Sequence, residues 1–147
     1  MSLKYLGLIA ALGLVACGSD GITGGQRTVA DVAGTWSMTR FELMNAVDTT
    51  QRINPLQDGT SATLTVTPAG AFTFTVTIPA GGTANETGTL RLRGDTLTYD
   101  GEGDQVAFRL VLKGNTMTWR ALERELFDMN GDGLPEETYT EVAFVRA

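Results

Sequence analysis

The chain has 147 residues, with 11 Lys and Arg against 17 Asp and Glu and a formal net charge of −6 at pH 7. That length suits one domain with a core of its own, and the acidic balance argues against nucleic-acid or polybasic lipid binding. There is no histidine and one cysteine, which excludes Ser-His-Asp and Cys-His catalysis, imidazole acid–base work and histidine metal sites.

The chain starts with a positive amino terminus and Lys4. Tyr5 to Val15 follows as an apolar run of signal-peptide length, too short to cross a bilayer. It closes on Leu14-Val15-Ala16-Cys17, with a small residue just before the cysteine. A lone cysteine in an exported chain has no partner for an internal disulfide. The stretch resembles the bacterial lipoprotein signal. That resemblance implies cleavage before Cys17, a thioether-linked diacylglycerol on its sulfur and further acylation of palmitate type. The alternative is an ordinary secretory signal cleaved nearby, leaving a free thiol. The lipoprotein reading implies a bacterial cell envelope location. Gly18, rather than Asp, after Cys17 favours the outer over the inner membrane in a Gram-negative host. Residues 1–16 are then a signal peptide, 17–28 the lipidated cysteine and a Gly/Ser-rich linker, and 29–147 the folded domain. Removal of the signal takes away Lys4 and no acid, so the mature chain is more acidic still.

Thr28-Val29-Ala30-Asp31 has the spacing of a capping box with Asp in place of Glu, and predicts a single helical turn. Gly34-Thr35-Trp36 opens a first strand that runs to about Leu43. Residues 44–59 form a long connection closed by Asp58-Gly59. Beyond it the pattern becomes regular. Leu64 and Val66 alternate with threonines, then Phe72, Phe74, Val76 and Ile78 do the same. Leu90 and Leu92 alternate with Arg91 and Arg93, and Leu97 and Tyr99 continue the inner face. Val106, Phe108, Leu110 and Leu112 follow, then Met117 and Trp119, and finally Val142 and Phe144. Period-two alternation of this kind marks half-buried antiparallel strands. Turn signals separate them at Pro68–Gly70, 79–85, Gly94-Asp95, 100–104 and Gly114-Asn115. Past Ala121 the parity breaks, which predicts a bulge there. The expected fold is all-β: about eight antiparallel strands closed up-and-down into a barrel, which removes exposed edges. An open sandwich of the same strands is the alternative.

Gly34-Thr35-Trp36 on the first strand, the eight strands and Arg146 near the end of the last strand resemble the lipocalin-like barrels, in particular small bacterial lipocalin-like lipoproteins. The resemblance covers about Val29 to the end. It implies that Trp36 packs at a closed end beneath Arg146, and that a small apolar or amphipathic ligand is the cargo. The chain lacks the disulfides and long C-terminal helix of secreted lipocalins. Because successive loops of such a barrel alternate between its ends, the short turns fall with Trp36, Arg146 and the linker. The loops at 44–59, 79–85, 100–104 and 128–137 fall at the other end.

Three features carry candidate chemistry. The inward set, Trp36, Leu64, Phe72, Phe74, Val76, Leu90, Phe108, Leu110, Trp119 and Phe144, either lines a ligand cavity or fills the barrel as a solid core. Val47, Ile53 and Leu56 in the long connection either cap the open end or plug it. In the run Asp128-Met129-Asn130-Gly131-Asp132-Gly133-Leu134-Pro135-Glu136, Asp128, Asn130, Asp132, the Leu134 carbonyl and Glu136 occupy positions 1, 3, 5, 7 and 9 of an EF-hand-type calcium loop. Position 12 is Tyr139, which cannot supply a bidentate carboxylate, and Glu137 or Glu141 would have to substitute. The turn-forming composition of this loop is equally that of a solvated hairpin, as is that of the acidic turn at Asp100, Glu102 and Asp104. The carboxylate pairs Glu123 with Glu125 and Glu136 with Glu137 are neighbours along one segment, not groups facing each other across a cleft as glycoside hydrolysis requires. The sequence therefore points to a non-enzymatic, lipid-anchored envelope protein that binds a small apolar molecule. The alternative is a solid structural or interaction module that meets an envelope protein through an acidic, calcium-binding rim.

Overall fold

The computed structural model describes residues 26–103 and 105–147. The signal peptide, Cys17 and the first part of the linker lie outside the described residues, as does Asp104. Among the described residues, the one helical element is a 3-10 turn, Val29–Val32. The Asp31 carboxylate closes it by accepting the Thr28 backbone N–H at 2.6 Å. The ten strands are β1 (Gly34–Asn45), β2 (Arg52–Ile53), β3 (Ser61–Val66), β4 (Ala71–Ile78), β5 (Gly82–Arg93), β6 (Thr96–Asp100), β7 (Gln105–Lys113), β8 (Thr116–Ala121), β9 (Glu125–Phe127) and β10 (Glu136–Arg146).

Eight of these strands close an antiparallel barrel in the order β1-β3-β4-β5-β6-β7-β8-β10, with β10 returning to β1. The short β2 and β9 are added outside the circuit, on β1 and β10 respectively. Closure rests on a long seam in which Trp36 lies opposite Arg146 and Asn45 opposite Thr138. Threonines fill the outer face of β3 and β4. Their β-branched side chains suit a pleated, half-solvated surface, and Thr63 pairs with Thr75 and Thr65 with Thr73 across the two strands.

The turns divide between two ends. The hairpins after β3, β5 and β7 lie at the end where the chain enters, and backbone hydrogen bonds knit them to neighbouring strands. Leu90 donates to the Gly70 carbonyl at 2.7 Å, Leu110 to Asp95 at 2.7 Å and Arg146 to Asn115 at 2.8 Å. This is the closed end. Trp36 is fully buried there. Its indole N–H donates to the Val32 carbonyl at 2.9 Å, and the Arg146 guanidinium stacks 4.3 Å from its ring centre. Arg146 also donates to the Ala33 carbonyl at 2.8 Å. Gly34 sits below with φ +125°, where any Cβ would come within 2.6 Å of the Arg146 guanidinium. A residue with a side chain is excluded on both counts. Leu64, Val66, Phe72, Leu90, Leu97, Leu110 and Met117 pack onto Trp36 and complete this floor. Among the described residues the core draws on Val29 and residues beyond it, and the barrel closes on itself between Gly34 and Arg146.

Two local expectations are corrected. The parity break after Ala121 is not a bulge: β8 ends there, and the chain leaves the barrel to form β9. Leu126 of β9 is 69% exposed, because β9 pairs only with the outer start of β10. The bulge lies instead in β1, where Met38 faces Phe144 but Arg40 faces Ala143. The extra residue, Thr39, turns Arg40 outward and Phe41 inward. The stretch 79–85 is not a long loop either. The chain turns at Pro79–Gly81, and residues 82–88 extend β5 opposite β4.

Candidate functional site: an apolar cavity at the open end

Above the filled floor, the barrel opens into a cavity of about 220 Å³. Its wall comes from β1 (Met38, Phe41), β3 and β4 (Ala62, Phe74, Val76), β6 and β7 (Tyr99, Val106, Phe108), and β8 and β10 (Trp119, Thr140, Val142, Phe144). Leu56 from the long first connection completes it. The small Ala62 on β3, opposite Val76 on β4, leaves part of this space open. On β5, Gly88 has no Cβ, which lets the Phe72 ring approach to 2.7 Å of where that Cβ would stand. Phe72 in turn stacks on Tyr99 with ring centres 4.5 Å apart. Trp119 packs between Phe108 at 5.6 Å and Phe144 at 5.0 Å, distances at which aromatic pairs add to simple area burial.

Of the inward residues read from the sequence, Phe74, Val76, Phe108, Trp119 and Phe144 line this cavity. Trp36, Leu64, Phe72, Leu90 and Leu110 lie in the packed floor. The capping group divides as well. Leu56 reaches the cavity and Ile53 is half-buried on β2. Val47 does not cover anything: it is 92% exposed, because the Asn45 side chain accepts the Val47 and Asp48 backbone N–H groups and turns the chain outward.

Glu86 was not legible as a site residue. It pairs with the cavity-lining Phe74 across β4 and β5, and directly opposed residues share a face, so it holds an inner register position beside the cavity lining without being part of it. It accepts the Glu102 backbone N–H at 3.2 Å. Burial pushes the Tyr99 phenol above its ordinary range, and the neighbouring Glu86 carboxylate pushes it the same way. Tyr99 therefore stays protonated and able to donate.

The Asp128–Glu136 loop lies at the same end. Its three carboxylates, from Asp128, Asp132 and Glu136, each bring an oxygen within 4.8 Å of the others. Backbone N–H groups of Gly131, Asp132 and Gly133 converge on Asp128, and Leu134 donates to Asp132 at 2.7 Å. Asn130 donates to Asp132 through its side-chain amide at 3.0 Å. The three carboxylates are hard oxygen donors. Neither substitute for the missing twelfth ligand reaches it. Glu137 is paired with Arg124, and Tyr139 accepts from the same Arg124 at 2.9 Å.

Glu141 is occupied outside the barrel. It is 3% exposed and is held by Arg40 at 2.7 Å, Arg52 at 3.1 Å and Arg120 through two bonds of 2.9 and 2.7 Å. Burial alone would raise its pKa, but the bonds from Arg120 and Arg52 outweigh burial and hold it below the usual carboxylate range. The β1 bulge makes this clamp possible by turning Arg40 outward.

A closed, eight-stranded up-and-down barrel with one packed end and one open, apolar end defines a small-molecule binding fold. The lipocalin-like domain family matches residues 32–119, more than half of the chain, and the chain belongs to that family. The family is in general a non-enzymatic binding fold. A comparison with curated proteins found no match.

Proposed function

We propose that this protein is a non-enzymatic binding protein of the bacterial cell envelope, anchored by lipid at Cys17, that holds a small apolar or amphipathic molecule in the open-end cavity. The observation that carries the reading is the cavity itself: a walled space of about 220 Å³ lined almost entirely by apolar side chains. An apolar cavity of about 150 Å³ already takes a benzene-sized guest. This one suits a ligand on the order of ten heavy atoms, with any longer part projecting through the mouth. Native mass spectrometry of residues 26–147 tests the binding half of the proposal. A small-molecule adduct lost on Ala62→Leu supports it, and a bare protein that takes up no added apolar probe overturns it. Labelling with a fatty-acid analogue tests the anchor: incorporation that disappears in Cys17→Ser is expected, and an unlabelled chain would contradict it.

The convergence of Asp128, Asp132 and Glu136 favours a second component, a calcium ion in that loop with Asn130 and the Leu134 carbonyl completing its ligands. Bound calcium would offset most of the charge of the three carboxylates and stiffen the rim beside β9, where Leu126, Phe127 and Leu134 are exposed and would meet an envelope protein. Calcium that leaves the thermal midpoint unchanged at millimolar concentration would overturn this component alone.

A further inference from the structure

The chemistry of the cavity wall narrows the ligand further, and this inference rests on the cavity being a binding site. Three observations bear on it. Glu86, just outside the lining itself, stands on the inner register of β5 opposite the lining residue Phe74, with its carboxylate against Gly101 beside the edge of the Tyr99 ring. Among the described residues no basic side chain pairs with it. Arg40, Arg52 and Arg120 are turned outward onto Glu141, and Arg124 onto Glu137. The cavity lining contains no Lys or Arg at all. The wall itself is rich in aromatic rings, with Phe41, Phe74, Tyr99, Phe108, Trp119 and Phe144 contributing.

We propose that the cavity selects an apolar organic cation, with an amine or ammonium head at Glu86 and a hydrocarbon body among the aromatic rings. A carboxylate ligand, such as a fatty-acid anion, would bring a second negative charge beside Glu86 with no cation to receive it. A neutral ligand would fill the apolar space but leave Glu86 without a counter-charge. A cation satisfies both, because the faces of the surrounding rings also attract positive charge. The Glu102 backbone N–H donates to the Glu86 carboxylate at 3.2 Å and so orients it.

The test uses three probes of one chain length, octylammonium, 1-octanol and octanoate, titrated into residues 26–147 at neutral pH and physiological salt. Trp119 fluorescence reports binding, and Trp36, at the other end, is an internal reference. Octylammonium is expected to bind at least tenfold tighter than octanol, and octanoate weaker than octanol. In Glu86→Gln the octylammonium preference over octanol should fall to within about threefold. Octanoate binding as tightly as octylammonium would overturn the inference. So would an ammonium preference that survives Glu86→Gln, since the selectivity would then come from the general negative charge of the rim. Octanol binding without any cation preference defeats only this inference. Failure of all three probes defeats the binding-cavity reading as well.

Discussion

The two halves of the barrel are built from the same alternating strands, yet one is solid and the other hollow. In the closed half, Trp36, Leu64, Leu97, Leu110 and Met117 are fully or almost fully buried, and the 3-10 turn presses Val32 in from below. In the open half, Ala62 stands at an inner position where the closed half has large apolar side chains, and β5 contributes no residue to the lining. Alternation decides which way a side chain points, and side-chain volume decides whether the interior is then full. The halves also differ in how they are tied. The floor is held by short hairpins and the Arg146 stack. The open half is braced from outside by the Glu141 clamp.

That difference predicts a ranking of mutational effects. The largest belongs to the floor: Trp36→Ala should cost about 3–5 kcal/mol in urea unfolding, through the lost ring and the cavity it leaves. A cost no greater than that of a surface substitution would mean that the floor is not the stabilising half. Next comes the brace. Glu141→Gln should destabilise by about 1–3 kcal/mol, because it removes the charge from bonds to three arginines. The pH dependence has a definite sign. The folded pKa of Glu141 lies below its ordinary 4.5, so its contribution is complete above that pH and disappears as the pH falls through the folded value. The stability gap between wild type and Glu141→Gln should therefore be constant near neutrality and narrow below about pH 4.5. A gap that widens in acid would contradict the clamp.

The hollow half should respond differently. Ala62→Leu fills space instead of crowding a packed site, so stability should stay level or rise by up to about 1 kcal/mol, while binding of an apolar probe is lost. Marked destabilisation would show that the space is already occupied. The smallest effect is expected from calcium, with a rise in thermal midpoint on the order of a few degrees at millimolar ion. Asp128→Asn together with Asp132→Asn should abolish that rise and leave apolar-probe binding intact.

Much of this architecture can be read in the sequence where apolar and β-branched residues alternate strictly, as in Phe72-Thr73-Phe74-Thr75-Val76 and Val106–Leu112. The Trp36–Arg146 stack follows from the family resemblance. Elsewhere the signal fails for physical reasons. Residues 82–88 are Gly, Thr, Ala, Asn and Glu, with no large apolar residue to mark an inner face, so the hairpin extension and the inward Glu86 are invisible. The β1 bulge at Thr39 shifts parity within Met38-Thr39-Arg40-Phe41, where apolar and polar residues give no single register. Leu122 and Leu126 carry an apolar register past Ala121, but the strand that holds Leu126 pairs outside the barrel. The Glu141 clamp joins four residues from four strands, and no local spacing encodes it.

The most direct test of the two-halves account is an amide and methyl NMR titration of residues 26–147 with 1-octanol. The account predicts saturable shifts at Met38, Ala62, Val76, Val106 and Val142, with Leu64, Leu90, Leu97 and Leu110 unmoved. Shifts spread equally over both sets, or confined to the exposed Leu126 and Leu134, would contradict it.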